Sequence, residues 1–163
     1  MTEPAPTIEE LTHGWRSNSV PVEYVNATTG IIRAYNMLSQ AQRDALAELD
    51  LSIRPFVVIS TLARSDDHTL SISELRRLTF IHAATLTSTL AKLEERGLVE
   101  RRMSTIDRRA ITVVLTDAGL QLVDEGYRRL STIKFGLAGL SEEQAAQLAD
   151  LTSMIDLTAE SDG

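Results

Sequence analysis

The sequence contains no cysteine. This absence excludes disulfide bonds within the chain, thiolate metal ligands and thiol-based redox sensing. There is also no uninterrupted apolar run of about eighteen residues, which a membrane-spanning helix requires. Residues 1–19 carry acidic groups and no apolar core segment, which is not the pattern of a signal peptide. We therefore expect a cytoplasmic protein that does not associate with a membrane.

Recognisable catalytic patterns are missing as well. No nucleophile stands at a familiar spacing from a base, and there is neither a glycine-rich dinucleotide motif nor a P-loop. The three histidines, His13, His68 and His82, are far apart, with no pair at metal-ligand spacing. We expect no enzyme activity, no cofactor and no metal, although carboxylates such as Glu23 could still complete a zinc site.

The acidic balance of the chain, a net charge of -7 over 163 residues, at first argues against a nucleic-acid partner. The charge is unevenly distributed, however: residues 1–50 sum to -4, residues 51–115 to +3 and residues 116–163 to -6. A basic centre between acidic segments suits a protein that presents one face to DNA. With 43% hydrophobic residues the whole chain is long enough for one globular domain with a real core.

Apolar residues at helical spacing predict six helices. They are expected over Val22–Leu49, Ile53–Ala63, Ile72–Leu78 and Ala83–Arg96, then from Thr116 toward Phe135 and from Ser141 to about Ile155. Residues 1–21 have no sustained period, and we expect a loose arm. In this arm Trp15 would pack against the body or a partner subunit, or, as an alternative, contribute to ligand binding.

Local sequence also predicts where these helices begin and end. Ser71 with Glu74 and Ser141 with Gln144 fit the capping box, and Ser52 and Thr116 are candidate single caps. Gly97 can close the fourth helix in a left-handed conformation. Gly136 and Gly139 are expected to break the fifth helix.

A two-stranded ribbon is predicted after the fourth helix. Residues 99–102 and 110–115 have strand character, and the second segment is rich in β-branched residues. The loop between them, residues 103–109, is too charged to bury. We therefore predict a mainly α fold with a small β-hairpin wing, a winged helix-turn-helix over residues 51–115. Residues 1–50 and 116–163 form its flanking segments.

The fourth helix has the division of a helix that enters the DNA major groove. Leu86, Leu90 and Leu93 form an inward seam, and small or polar residues lie on the opposite face. An ordinary amphipathic helix would show the same division. The following STIDRR segment favours DNA binding, because Asp107 can hold one of Arg108 and Arg109 while the other reaches the minor groove.

These elements resemble the MarR family of bacterial transcription regulators over about residues 51–119. The resemblance lies in RPFVVISTLARS, TLSISEL, ATLTSTLAKLEERGLVERR, DRRAITVVLT and TDAG. It implies a homodimer formed by the N- and C-terminal helices, with two winged lobes on a pseudo-palindromic operator about one turn apart. It also implies a small, often aromatic, ligand that alters DNA binding.

Three departures from the family pattern affect the expected DNA contacts. Phe80 stands where glycine is common, Ala83 where a basic residue is common, and Ser88 where arginine is frequent. The recognition helix is therefore poor in charge, and we expect salt-dependent binding that relies on the wing and on phosphate contacts. The candidate DNA-binding residues are His82, Ala84, Thr85, Thr87, Ser88, Lys92, Arg101, Arg102, Asp107, Arg108 and Arg109, with His82 alternatively a simple capping or turn residue.

A ligand pocket is expected between the terminal helices and the winged lobe, where a ligand could bias the separation of the two recognition helices. The candidates by position are Tyr24, Thr28, Ile32, Tyr35, Phe56, Ile59 and Val114, each of which could equally belong to the core. The preferred hypothesis is a dimeric transcriptional repressor that binds double-stranded DNA. The alternative is a module of the same fold that binds a ligand or a protein and has weak or no sequence-specific DNA binding.

Overall fold

The structure is a computed structural model, and it describes residues 6–12, 21–103 and 111–155. The predicted fold class is confirmed: the described chain is mainly helical, with one small antiparallel sheet. In chain order the elements are α1 (Ile8–Thr12), α2 (Val22–Leu46), α3 (Ile53–Ala63), β1 (Thr69–Ser71), α4 (Ile72–Thr79), α5 (Ala83–Glu95), β2 (Val99–Met103), β3 (Ile111–Leu115), α6 (Asp117–Thr132) and α7 (Glu142–Ser153).

The N-terminal arm differs from prediction within its described residues. Residues Ile8–Thr12 form a short helix rather than a loose arm, and Thr7 and Glu10 stabilise its start. The Thr7 amide donates to Glu10 Oε2 (2.6 Å) and the Glu10 amide donates to Thr7 Oγ1 (3.2 Å). The hydrogen bonds from Thr7 lower the pKa of Glu10. Trp15 and His13 lie outside the described residues.

The long helix α2 ends earlier than predicted. It stops at Leu46, and Ala47–Leu49 form a 3-10 turn that Asp50 closes in the left-handed conformation (φ 48°). A tighter turn continues the apolar spacing, so periodicity alone placed the helix end at Leu49. Arg129 of α6 fixes this end of α2, because its guanidinium binds Glu48 (2.6 Å) and Glu125 (2.7 Å). These carboxylates, Glu48 foremost, raise the pKa of Arg129.

Helix α3 forms the centre of the hydrophobic core. Its side chains pack against buried leucines of α5 and against α6, where Phe56 meets Tyr127 edge to face at 5.3 Å between ring centroids. Gly126 permits this approach, since a Cβ there would overlap Cε2 of Phe56. The core of buried apolar residues consists of Leu46, Leu51, Phe56, Val58, Ile59, Leu62, Leu75, Leu86, Leu90, Leu93, Leu98, Val99, Val113, Leu115, Val123 and Leu130.

The sheet has three strands in the order β1-β3-β2, not the two that were predicted. Both neighbours of β3 run antiparallel to it, and Val113 is paired with Leu70 on one side and Arg101 on the other. Strand β1 is only three residues long, so it carries no periodic pattern of its own. Pairing with β3, which is distant in sequence, creates it.

The helix ends test the predicted caps. Both capping boxes are present, and Thr116 accepts a hydrogen bond from the Gly119 amide at 3.1 Å. Gly97 closes α5 with φ 69° as predicted. The Ser52 side chain, in contrast, makes no cap hydrogen bond. Helix α6 ends at Thr132, before both glycines, and the following turn contains Phe135 at φ 56°.

Candidate nucleic-acid interface

Helices α4 and α5 form a helix-turn-helix whose turn is set by Phe80. The Ser71 capping box opens α4, and its hydrogen bonds, the side-chain bond first, lower the pKa of Glu74. Phe80 ends the helix in the left-handed conformation (φ 54°, ψ 23°), and α5 begins at Ala83. Phe80 is 93% exposed. A left-handed, exposed phenylalanine is costly, because this conformation brings Cβ close to the following carbonyl oxygen.

The outward face of α5 carries mostly small residues. Leu86, Leu90 and Leu93 are buried against the core, and on the opposite side Ala84, Ser88 and Ala91 are exposed. A helix with alanine and serine on its free face allows close approach to base edges. The groove-facing assignment of Ala84 and Ser88 therefore remains consistent with the fold.

The two exposed hydroxyls of α5 already donate within the helix. Thr87 Oγ1 donates to the Ala83 carbonyl and Ser88 Oγ to the Thr85 carbonyl, each at 2.9 Å. Each oxygen keeps acceptor capacity. In this arrangement Thr87 and Ser88 offer lone pairs, which match the amino groups of adenine or cytosine.

One flank of α5 faces strand β2, and Arg101 joins the two elements. The Arg101 amide donates to Glu94 Oε1 (3.2 Å), its Nη2 donates to the Thr87 carbonyl (3.3 Å), and its Nε lies 3.6 Å from Glu94 Oε2. The side chain is 29% exposed. Arg101, predicted as a DNA contact, is thus turned against the recognition helix, where it orients the ribbon.

Arg102 is paired with a carboxylate on its own strand. Its Nη2 lies 2.7 Å from Glu100 Oε2, and both side chains are more than half exposed. An exposed ion pair of this kind is weak and screened by salt. Arg102 can exchange Glu100 for a phosphate, whereas Arg101 would first have to leave Glu94 and Thr87.

The predicted wing tip, Asp107, Arg108 and Arg109, lies outside the described residues. The two strands that lead to it are paired up to Met103 and Ile111. The assignment of these three residues to DNA binding remains a prediction.

The other flank of α5 lines a basic cleft of about 750 Å³, which sequence reasoning missed. Thr85, Ser88, Lys92 and Arg96 form one wall, and the end of α2 and the start of α3 form the other. Its charged lining comprises four basic residues, Arg43, Arg54, Lys92 and Arg96, and two acidic residues, Asp44 and Asp50. These positions are up to about fifty residues apart in sequence, so only tertiary packing brings them together.

His82 occupies the N-cap position of α5, but its side chain makes no cap hydrogen bond. His82 thus lies in the turn before α5, as the alternative of a turn residue expects, and its assignment to DNA binding remains a prediction. Its side chain is exposed and lines a second cleft of about 410 Å³, together with Tyr35 and residues of the α4–α5 turn. In the part of the chain that the structure describes, no three histidine, aspartate or glutamate residues are grouped to hold a metal ion.

The predicted ligand residues fall into two groups. Phe56 and Ile59 are buried in the hydrophobic core, and Val114 is half-buried and paired in the sheet with Thr69 and Glu100. The other four predicted residues, Tyr24, Thr28, Ile32 and Tyr35, lie on α2 and are exposed. Of these seven, Tyr35 lines the second cleft, whose lining also includes Phe80, His82 and Thr85. Within residues 6–12, 21–103 and 111–155, no helix combines the length and apolar character needed to cross a membrane.

Comparison with known proteins agrees with this architecture. A model of the MarR family matches residues 49–110. The regulator PecS of Dickeya dadantii is 26% identical over 153 residues, which span 91% of this chain and 92% of PecS. Sco3205 of Streptomyces coelicolor, a MarR family regulator solved in complex with DNA, has a TM-score of 0.74 at 20% identity, over 85% of this chain and 88% of Sco3205. NadR, solved in complex with 4-hydroxyphenylacetate, has a TM-score of 0.67 at 25% identity, over 85% of this chain and 94% of NadR.

Proposed function

Because the chain belongs to the MarR family of winged helix-turn-helix transcriptional regulators, we propose that it is a homodimeric, cytoplasmic repressor that binds a pseudo-palindromic operator. One observation carries the DNA-binding part of the proposal. Helix α5 exposes Ala84, Ser88 and Ala91 on one face, which ends at Glu95, and the basic cleft lies beside it. The DNA complex of Sco3205 supports the same use of this fold. Residues 51–115 are the DNA-binding lobe, between residues 1–50 and 116–163.

Exposed apolar residues on the terminal helices support the homodimer. Helix α7 buries none of its residues within its own chain, and the middle of α2 is also apolar on its surface. Large apolar side chains exposed in this number on two helices usually mark an interface with another chain. The exposed residues are Val22, Tyr24, Ile31, Ile32, Tyr35 and Met37 on α2, and Leu148, Leu151, Met154 and Ile155 on and after α7. Light scattering of the purified protein should give twice the mass of one chain.

The second cleft is the proposed site for a small aromatic effector. Tyr35 belongs to α2, and Phe80, His82 and Thr85 belong to the DNA-binding lobe. A ligand between them would favour one separation of the two lobes of the dimer over another. The cleft volume of about 410 Å³ suits a small molecule. NadR in complex with 4-hydroxyphenylacetate supports this class of ligand.

The repressor proposal is tested with DNA flanking the chain's own coding sequence. Mobility shifts at two salt concentrations should show saturable, sequence-dependent binding that weakens strongly as salt rises. Arg108→Ala and Arg109→Ala should each weaken binding by about 1 to 3 kcal/mol without unfolding the dimer. If both variants bind DNA as the parent does, the wing assignment is wrong.

A second candidate function follows from the charge of the recognition helix. Lys92 is the one basic residue within α5, while Glu94 and Glu95 lie near its end. The alternative is therefore a ligand- or protein-binding module with weak or no sequence-specific DNA binding. Absence of any shift at low salt would favour this alternative.

A further inference from the structure

The recognition helix has two flanks, and they differ in what lies beside them. At 100° per residue, Thr87 and Glu94 are on one flank, which contacts strand β2 through Arg101. Thr85, Lys92 and Arg96 lie about half a turn away, on the flank that lines the basic cleft. The free face with Ala84 and Ala91 lies between the two flanks. Strand β2 and the basic cleft therefore stand on opposite sides of the surface that would enter the groove.

A major groove is bordered by two phosphate backbones, and it is about 12 Å wide. A helix that lies in it has one backbone on each side. The wing can neutralise the backbone on the β2 flank. From the charge and position of the basic cleft, we infer that it binds phosphates of the second backbone, with Arg43 and Arg54 as DNA contacts beyond the recognition helix and the wing. This inference rests on the proposed DNA-binding function.

The charge of the cleft supports a phosphate as its occupant. Four basic residues against two carboxylates leave a net local charge of +2, in a chain whose total is -7. Asp44 Oδ1 accepts a hydrogen bond from Gln40 Nε2 at 2.8 Å. Arg96 donates to the carbonyl oxygens of Leu49 and Asp50. It therefore shapes the wall of the cleft and leaves the binding of phosphate to Arg43, Arg54 and Lys92.

The remaining basic side chains are available to a phosphate. Among the described residues, Arg54 and Lys92 form no ion pair, and neither side chain donates a hydrogen bond. Arg43 donates to the Gln40 side chain at 2.7 Å, an exposed contact that a phosphate can replace. All three side chains are exposed. Guanidinium groups match phosphate oxygens in a two-pronged geometry, so Arg43 and Arg54 suit a backbone contact.

The test is the salt dependence of DNA binding by the full chain. Fluorescence anisotropy with the candidate operator duplex and with a mixed-sequence duplex of equal length measures the slope of log K against log salt. Arg43→Ala and Arg54→Ala should each flatten the slope by about 0.9 per subunit on DNA, or about 1.8 for a dimer, on both duplexes. Arg128→Ala is the matched control, since Arg128 is exposed on α6 and pairs with Glu125. Its slope should equal that of the parent.

The outcomes separate this inference from the proposed function. If the parent binds DNA and both variants keep its slope, the second-backbone contact is wrong while the regulator proposal stands. If the parent does not bind DNA, the proposed function itself fails. A further measurement tests a free anion: thermal unfolding with inorganic phosphate at constant ionic strength. Stabilisation by phosphate that Arg43→Ala and Arg54→Ala abolish, without a change in the DNA slope, would assign the cleft to a small anion and overturn the inference.

Discussion

The side chain of Arg96 joins the recognition helix to the turn at Asp50. Its Nη1 donates to the Asp50 carbonyl at 2.7 Å, and its Nη2 donates to the Leu49 carbonyl at 3.0 Å. These carbonyls end the segment that follows α2, and Asp50 is left-handed there. One guanidinium thus connects the end of α5 with the junction between α2 and α3.

Replacing Arg96 should loosen this junction. Arg96→Ala removes two charge-assisted hydrogen bonds at a solvent-exposed site, and the free energy of unfolding should fall by about 1 kcal/mol. Arg96→Lys keeps the charge but cannot donate to both carbonyls in the same fork, so it should recover only part of the loss. Urea denaturation measures both variants. Equal stability of Arg96→Ala and the parent would show that the contact does not hold the junction.

The pair formed by Arg101 and Glu94 should be energetically coupled. Both side chains are partly exposed, so a double-mutant cycle of Arg101→Ala and Glu94→Ala should give a coupling energy of about 0.5 kcal/mol. Arg102→Ala combined with Glu94→Ala provides the control, because Arg102 pairs with Glu100 instead. That cycle should be additive. A coupling no larger than the control's would contradict the role of Arg101 in fastening β2 to the recognition helix.

Phe80 should be replaceable by glycine with a gain in stability. Phe80→Gly relieves the left-handed strain, and Phe80→Ala removes the ring but keeps the strain. Because Phe80 is almost fully exposed, both variants lose little packing, and they differ mainly in backbone strain. The free energy of unfolding of Phe80→Gly should therefore exceed that of Phe80→Ala by about 1 kcal/mol. Thermal unfolding measures the difference.

The same two variants test the second cleft as a site for aromatic ligands. Both remove the Phe80 ring from the cleft lining, so both should bind the probe 4-hydroxyphenylacetate more weakly than the parent.

The capping box of α4 should make stability depend on pH at acidic values. Hydrogen bonds from Ser71 lower the folded-state pKa of Glu74, so the ionised carboxylate stabilises the fold. This contribution is fully present above the unfolded pKa, about 4.3, and it is lost as the pH falls through the folded pKa. The difference in the free energy of unfolding between the parent and Glu74→Gln should therefore shrink as the pH is lowered from about 6 toward about 3, through the unfolded pKa of glutamate. A difference that stays constant over this range would show that the charge of Glu74 is irrelevant.

Features encoded by neighbouring residues were predictable. The capping boxes at Ser71 and Ser141 need only residues three apart, and the seam of Leu86, Leu90 and Leu93 needs only the helical period. The closure of α5 at Gly97 follows from the conformational freedom of glycine. These local rules, together with the family resemblance, sufficed for the fold class and for the position of the recognition helix.

Features created by tertiary contacts were not predictable in this way. Strand β1 exists because β3 pairs with it, and Arg101 turns inward because Glu94 and Thr87 meet it there. The basic cleft combines Arg43 of α2 with Lys92 of α5. No local pattern links these residues. From the sequence alone, the wing was therefore expected to provide most of the DNA affinity. The structure adds a basic site on the opposite flank.

Direct DNA binding tests the central claim most simply. Anisotropy of a labelled duplex from upstream of the chain's own coding sequence, titrated with purified protein at low and at physiological salt, is compared with a mixed-sequence duplex. We expect saturable binding that prefers the upstream duplex at both salt concentrations and weakens steeply between them. Failure to bind either duplex at low salt would contradict the claim that this chain is a DNA-binding regulator.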